Sequence, residues 1–359
     1  MTSDIKIIHH YIGRAVFLAV LLSLVFFTGL MMIFQFLDDL PSIGNGNYTL
    51  LDSMLNLALN VPGIVYRLFP MAALVGSIIG LGSLASNSEL IVIRAAGVSI
   101  SRIIRSVLVT IIPLMIMVIV MGEWVSPVAK QYAQKQRSLA VSSGQLISSK
   151  TGLWARDGND FIHIERSFPD GHIENFERYK FDTQMNLLSI IRAKSGIYED
   201  KGIWRLIEVN SSRFENDRVY KQYLPESRWK SQLTLENLGV VGLEPENLGV
   251  TELWRYANYL QQNNLDAGRF RLSFWQKIFQ PISIGLMLVL GCSFVFSSIR
   301  HVGMGARILT GVMIGLGFYV LNESFGSIAI AYQLPALVGA SLPLILFSAI
   351  SYWRLSRIL

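Results

Sequence analysis

The sequence predicts an α-helical membrane protein with six transmembrane helices and an inserted all-β domain. Three observations carry that expectation. The chain is 52% hydrophobic and only 16% charged, against about 25% charge in an ordinary soluble domain. Its apolar residues gather into runs long enough to cross a bilayer, which takes roughly 20 residues. A long polar stretch in the middle alternates with a period of two and is punctuated by Asp-Gly pairs, as strands and hairpins are.

The spans are expected at Ala15–Leu37, about Val61–Ala85, about Ser106–Val128, about Ser273–Ile299, about Gly303–Phe325 and about Leu334–Trp353. The first contains no charge and no convincing small-residue cleavage site, so it reads as a retained helix rather than a signal peptide. The lone Cys292 sits inside the fourth run, so no disulfide can form within the chain. The organisation follows: helices 1–3 over 1–129, a β domain over 130–270, and helices 4–6 over 271–359.

Orientation comes from Lys and Arg near the span ends, which resist crossing the membrane. The N-terminus, the 86–105 loop, the 300–307 loop and the C-terminus together carry nine basic residues against Asp4 and Glu89. The rest of the chain holds 22 of the 31 basic and 23 of the 25 acidic residues, so it is nearly balanced. Both termini are therefore expected in the cytoplasm and the β domain outside. The net charge of +6 is explained by topology, which argues against nucleic acid as a partner.

Within 130–270, "LWARDGNDFIHIE" (Leu153–Glu165) reads as two strands around Asp157-Gly158. Further turns are expected at Asp170-Gly171 and between Asp200 and Gly202. Ile162 and Ile164 alternate with Phe161, His163 and Glu165, as in a sheet with one packed face. The number and spacing of the strands suggest a sandwich or jelly roll. Thr251–Gln262 reads as a helix leading back to the membrane. His163 has no second histidine at metal spacing, and neither a zinc pattern nor a nucleophile elbow is present. The reading is of a non-enzyme without metal or other cofactor.

Arg67, Glu123 and Glu323 fall within apolar runs, where a central charge costs roughly 2.5–3.5 kcal/mol. Snorkelling or pairing near the interface is one reading, and an ion path is the other. Gly76, Gly80 and Gly82 in the second span, and Gly311, Gly315 and Gly317 in the fifth, form small-residue stripes that suit close helix packing.

The short segment "SNSELIVIRAAGVSISRIIR" (Ser86–Arg105) lies between two spans on the expected cytoplasmic side. Ser86 and Glu89 fit a capping box, and Gly97 is placed to end a helix of two or three turns, about 86–97. It reads either as an interfacial helix held by acidic lipids or as a coupling helix seated in a cytoplasmic ATPase. The chain has no G-x-x-x-x-G-K-[ST] and no Gly-Lys pair, so phosphate-cradling chemistry would belong to a partner.

Five stretches resemble the LptF/LptG family of lipopolysaccharide export permeases. They are "FPMAALVGSIIGLGSLASNSELIVIRAAG" (Phe69–Gly97), "GEWVSP" (Gly122–Pro127), "GLWARDGNDFIHIE" (Gly152–Glu165), "WQKIFQPIS" (Trp275–Ser283) and "FYVLNESFG" (Phe318–Gly326). The Trp-Ala-Arg-Asp-Gly stretch favours the LptG branch. The resemblance covers essentially the whole chain. It implies a heterodimer with LptF around a central cavity, an LptB dimer that hydrolyses ATP, and a periplasmic β-jelly roll bridging to LptC and LptA. It implies lipopolysaccharide as substrate, entering from the outer leaflet of the inner membrane through gates made by first and fifth helices. It assigns ATPase coupling to Ser88, Glu89, Leu90, Ile93 and Arg94, with Glu89 the acid facing LptB.

A cavity for a multi-acyl, phosphorylated lipid should be broad and apolar with cations at headgroup level. Phe26, Phe34, Leu37, Phe318 and Phe325 are candidates to face acyl chains, though lipid-facing or packing roles suit them equally. Family members often carry lysines at the outer end of the first helix. Here "FQFLDDLPSIGNG" places Asp38 and Asp39 there instead. The phosphates are then met by basic residues elsewhere, such as Arg137, by the partner, or through a divalent cation at the aspartates. Two other classes stay open on the residues alone: an ion-coupled secondary transporter, disfavoured by the missing midplane carboxylate and inverted repeat, and a membrane-anchored scaffold with an outer binding domain.

Overall fold

The computed structural model describes residues 2–141, 153–157, 159–167, 171–182, 184, 186–200, 202–215, 218–231, 245–263, 265–297 and 304–357. Gly158, Asp170 and Arg300, used above in reading turns and topology, lie outside them. Six helices are long and apolar enough to span a membrane. They are α1 (Thr2–Asp39), α2 (Leu50–Ser86), α4 (Ile100–Val120) with its continuation, α7 (Gly268–Ser297), α8 (Met304–Ala331) and α9 (Ala336–Ser356). The short α3 (Glu89–Ala95) joins α2 to α4. Because the chain crosses six times, both termini lie at the α3 end of the bundle and the β domain at the other.

Three helices run further than hydropathy suggests, the first of them beginning at Thr2 rather than Ala15. The second begins at Leu50 rather than near Val61, because Thr49 and Asp52 form a capping box: Asp52 accepts from the Thr49 N–H (2.8 Å), and Thr49 Oγ1 accepts from the Asp52 N–H (3.3 Å). The third passes through a π-helical turn at Met121–Val125 and continues as α5 (Ser126–Val141). Its last turns are polar, so apolar patterning stops at Val128 while the helix does not.

Helix α2 is the axis of the bundle. Within its most apolar window 78% of residues are buried, against 39% in α1 and 17% in α8. It packs against α1, α5, α7 and α8. Two glycines of each stripe serve this packing, while Gly317 faces open space. A Cβ on Gly76 would stand 2.3 Å from the Val20 Cα, and one on Gly80 would stand 2.7 Å from the Val16 Cα. Gly311 and Gly315 of α8 lie against Ile78 and Met71 of α2. These glycines let backbones approach inside the chain.

The inserted domain is a six-stranded antiparallel sheet in sequential order, consistent with the expected jelly roll. Its strands are β1 (Leu153–Asp157), β2 (Asp160–Ser167), β3 (His172–Phe181), β4 (Leu187–Asp200), β5 (Ile203–Glu215) and β6 (Arg218–Lys230). The alternation in β2 holds: Ile162 and Ile164 are buried, with Phe161, His163 and Glu165 on the other face. Phe176, Trp204 and Trp229 extend that core. Helix α6 (Val250–Gln262) closes it with Tyr256, Ala257 and Leu260.

Two of the three charges in the apolar runs, Arg67 and Glu123, find partners where the sheet domain meets the bundle. The π-turn lets Gly122 press on the Tyr66 ring, where any Cβ would collide at 2.1 Å. It also brings Glu123 to the start of α6, where its carboxylate accepts the Val250 N–H. An anion at a helix N-terminus meets unsatisfied N–H groups and the favourable end of the helix dipole. Lys277 of α7 stands 3.5 Å from the same carboxylate, and Lys130 reaches Asn247 at 2.5 Å. Arg67 pairs with Glu246 at 3.8 Å. The pairing expected for Arg67 and Glu123 is real, but their partners come from α7 and the approach to α6.

Candidate functional site at helix α3 and the uncovered apolar faces

Helix α3 has two faces and two kinds of end. The expected capping box at Ser86 does not form. Helix α2 runs through Ser86, whose hydroxyl donates back to the Ser83 carbonyl at 2.8 Å, so no free helix start exists there to cap. The chain turns instead at Ser88, which is left-handed at φ +63 and makes no side-chain cap. Residues other than glycine adopt that conformation infrequently. The C-terminal end follows expectation. Gly97 is left-handed at φ +85, its N–H donates to the Arg94 carbonyl, and the Val98 N–H donates to Ile93. Those paired bonds form a Schellman stop.

The residues assigned to coupling separate into inward and outward groups. Leu90 is 0% exposed and belongs to the membrane-bundle core, so it anchors α3 rather than presenting it to a partner. Ile93 is partly buried on the same side, as i and i+3 positions are. Glu89 accepts a 2.8 Å hydrogen bond from the Tyr11 hydroxyl of α1. Arg94 is exposed. The outward apolar surface is made by Ile91 and Val92, which are exposed, together with Ala95. Sequence reading missed those residues because the run "ELIVIRA" is apolar on both faces. Only contact with the bundle distinguishes them.

The acyl-facing candidates also divide. Phe26, Phe34 and Leu37 are exposed along α1. Phe325 of α8 is half-buried. Phe318 is not available to a ligand: it is 7% exposed and packs edge-on against Phe347 of α9 at 5.0 Å. The outward surface of α8 is carried instead by Leu309, Met313, Leu316 and Val320. Helices α1 and α8 flank α2 and leave long apolar surfaces uncovered by this chain. Such surfaces belong against lipid or a partner's helices.

At the sheet end of α1 the aspartates behave differently from each other. Asp38 is exposed and Asp39 buried. Asp39 accepts from the Tyr48 hydroxyl (2.6 Å) and the Ser53 hydroxyl (2.6 Å), and pairs with Arg137 at 2.8 Å. Burial, with the bond to Asp39, pushes the Tyr48 hydroxyl up to about 12, so it stays a donor at physiological pH. Arg137 also donates to Ser42 at 2.9 Å. It is therefore engaged in holding the α1–α2 turn to α5. Among the described residues no group of three or more His, Cys, Asp or Glu side chains is placed to hold a metal ion.

Comparison with known proteins agrees with this architecture. The family model described as lipopolysaccharide export system permease LptF/LptG matches residues 10–357. The lipopolysaccharide export system permease protein LptG of Haemophilus influenzae is 38% identical over 354 residues, covering 98% of this chain and 99% of that protein. The protein of the same name from Escherichia coli K12 is 38% identical over 353 residues, covering 98% of each. These matches run through the bundle, α3 and the sheet domain alike, and the chain belongs to the lipopolysaccharide export system permease family LptF/LptG.

Proposed function

We propose that this chain is the LptG-type half of an ATP-driven machine that extracts lipopolysaccharide from the outer leaflet of the inner membrane. As a family member it is a multi-pass inner-membrane transport subunit. In this reading both termini and α3 are cytoplasmic and the sheet domain is periplasmic. LptF supplies the second set of six helices. An LptB dimer burns ATP against α3, and the sheet domain continues through LptC toward LptA. The uncovered faces of α1 and α8, with Phe26, Phe34, Leu37 and Phe325, line the gates to an acyl-chain chamber. Since Arg137 is tied to Asp39, the lipid phosphates are met by cations of the partner permease subunit.

The observation that carries the reading is the construction of α3. It is bolted inward by Leu90, joined to the gate helix through Tyr11 and Glu89, and bare outward at Ile91 and Val92. A helix held by lipid alone does not require an acid bonded to a span. A docked helix that passes force inward needs both an outward apolar patch and an inward tie. Mild-detergent purification followed by native mass spectrometry tests this. The expected species contains two permease chains, two ATPase chains and bound lipopolysaccharide. Ile91→Asp with Glu89→Ala is expected to release the ATPase while the permease pair survives. Normal ATPase recovery with that double variant overturns the coupling role.

A further inference from the structure

The sheet face opposite its core carries an in-register row across all six strands: Trp154, His163, Glu177, Arg192, Asn210 and Tyr223. Directly paired residues share a face, and the other face holds Phe176, Ala193 and Val209. The Trp154 indole is 56% exposed. It lies against the His163 ring at 4.7 Å and stacks on Tyr179 at 6.1 Å. An aromatic platform is thus fixed at the surface. Glu177 beside it is oriented by the Tyr179 hydroxyl and by Arg192 Nε at 2.8 Å. Arg192 binds Glu177 through Nε and also lies beside the Tyr179 hydroxyl, and its side chain is 63% exposed, so a ligand can reach the guanidinium from solvent.

The next row does not pair regularly. Asn175 in β3 and Glu208 in β5 are left-handed, at φ +51 and +53, and the registers skip both positions. Irregular positions of this kind bend strands, and strained backbone gathers at sites of use. Here the crease borders a cavity of about 380 Å³, lined by His163, Glu177, Arg192 and Asn210 of the row and by Asn175 and Glu208, with Trp154 beside it against His163. That volume lies in the usual small-ligand range of roughly 300–1,000 Å³. Its carboxylates are matched locally: Glu165 accepts from Asn175 at 2.5 Å, Glu177 from Arg192, and Glu208 from Lys194 at 2.9 Å. No surplus of positive charge remains to attract a phosphate.

We propose that this creased outward face is a saccharide-binding site for the sugar portion of the exported glycolipid. The inference rests on the permease reading above. Sugar hydroxyls both donate and accept, and so match a carboxylate, a guanidinium and an amide held side by side. Hydrogen bonds to the charged members are the stronger ones. The C–H face of a pyranose ring suits the negative face of an exposed indole. Three carboxylates stand against two cations in the lining, which disfavours phosphate and leaves the hydroxyls of a sugar as the groups the site can hold.

The test uses the full-length chain, co-purified with its partner permease and ATPase subunits, in lipid nanodiscs with saturation-transfer NMR. The probes are delipidated core oligosaccharide from lipopolysaccharide, a muropeptide disaccharide and inorganic phosphate. The core oligosaccharide is expected to bind. Trp154→Ala and Arg192→Ala are each expected to weaken it by roughly tenfold, while Trp154→Phe keeps most of the binding and shows that the sheet tolerates change there. Unchanged binding in Trp154→Ala, no binding of the core oligosaccharide, or binding of the muropeptide alone overturns the proposal. Intact lipopolysaccharide binding is measured in parallel with Phe34→Ala, expected to lose lipid binding and keep oligosaccharide binding. A failed permease reading shows as no intact lipopolysaccharide binding in the unsubstituted chain, whatever the saccharide result.

Discussion

The two ends of the helical bundle are held by different physics. At the sheet end, Glu123 answers both Lys277 and the start of α6, Lys130 reaches Asn247, and Arg67 meets Glu246. Asp39 gathers three donors from α2, α5 and the turn between α1 and α2. At the other end, α3 is attached by buried Leu90, partly buried Ile93, one hydrogen bond between exposed side chains and a left-handed serine. Desolvated charges are costly to separate once paired, so the Glu123–Lys277 pair and the Glu123 contact with the start of α6 tie the approach to the sheet domain firmly to the bundle. The second is a low-stability attachment of the sort that opens locally. A machine driven from one end and delivering at the other would need that asymmetry.

Substitutions at each end break or sharpen the contrast. The largest effect is expected from Glu123→Gln. It leaves Lys277, whose side chain is 8% exposed, without its counter-charge, and breaking a buried pair costs about 3–5 kcal/mol. Thermal unfolding in detergent should show the loss, with the sheet domain becoming protease-sensitive at its junction. A wild-type transition would mean that the charges there are ornamental. Next comes Leu90→Ala, at roughly 2–5 kcal/mol for a buried leucine. Limited proteolysis should cut faster between residues 86 and 97 while the bundle's own transition stays put. Loss of the whole bundle instead would show that the α3 end is no softer than the other. The smallest is Tyr11→Phe, which removes one hydrogen bond between exposed side chains and should leave stability almost unchanged. Its expected signature is functional: the ATPase still binds, but each round of hydrolysis releases less lipopolysaccharide. Equal release per ATP would make the bond a bystander.

The spans, the β domain and the turn at Gly97 were legible because each rests on a local rule: a run of apolar residues, an alternation, a glycine past a helix end. The helical polar stretch to Val141 was not, since α5 is stabilised by packing on α2. Leu90 against Ile91 could not be resolved either, because the bundle decides which apolar neighbour is buried. Phe318 lost its candidate role to Phe347, which lies on a different helix. Arg137 was read as a phosphate-facing cation away from the aspartates, and it pairs with Asp39 instead. Lys277 was overlooked because one lysine early in a fourth span resembles a membrane-interface anchor, and only the position of Glu123 gives it a partner.

Glycines 76 and 80 place the backbone of α2 directly on that of α1 at Val20 and Val16. With no side chains between them to act as bearings, the two rods cannot slip past each other by a turn. They pack as one unit, and α3 follows directly from the end of α2. Sideways opening at α1 would then arrive as a door moving on its hinge rather than a bolt being drawn.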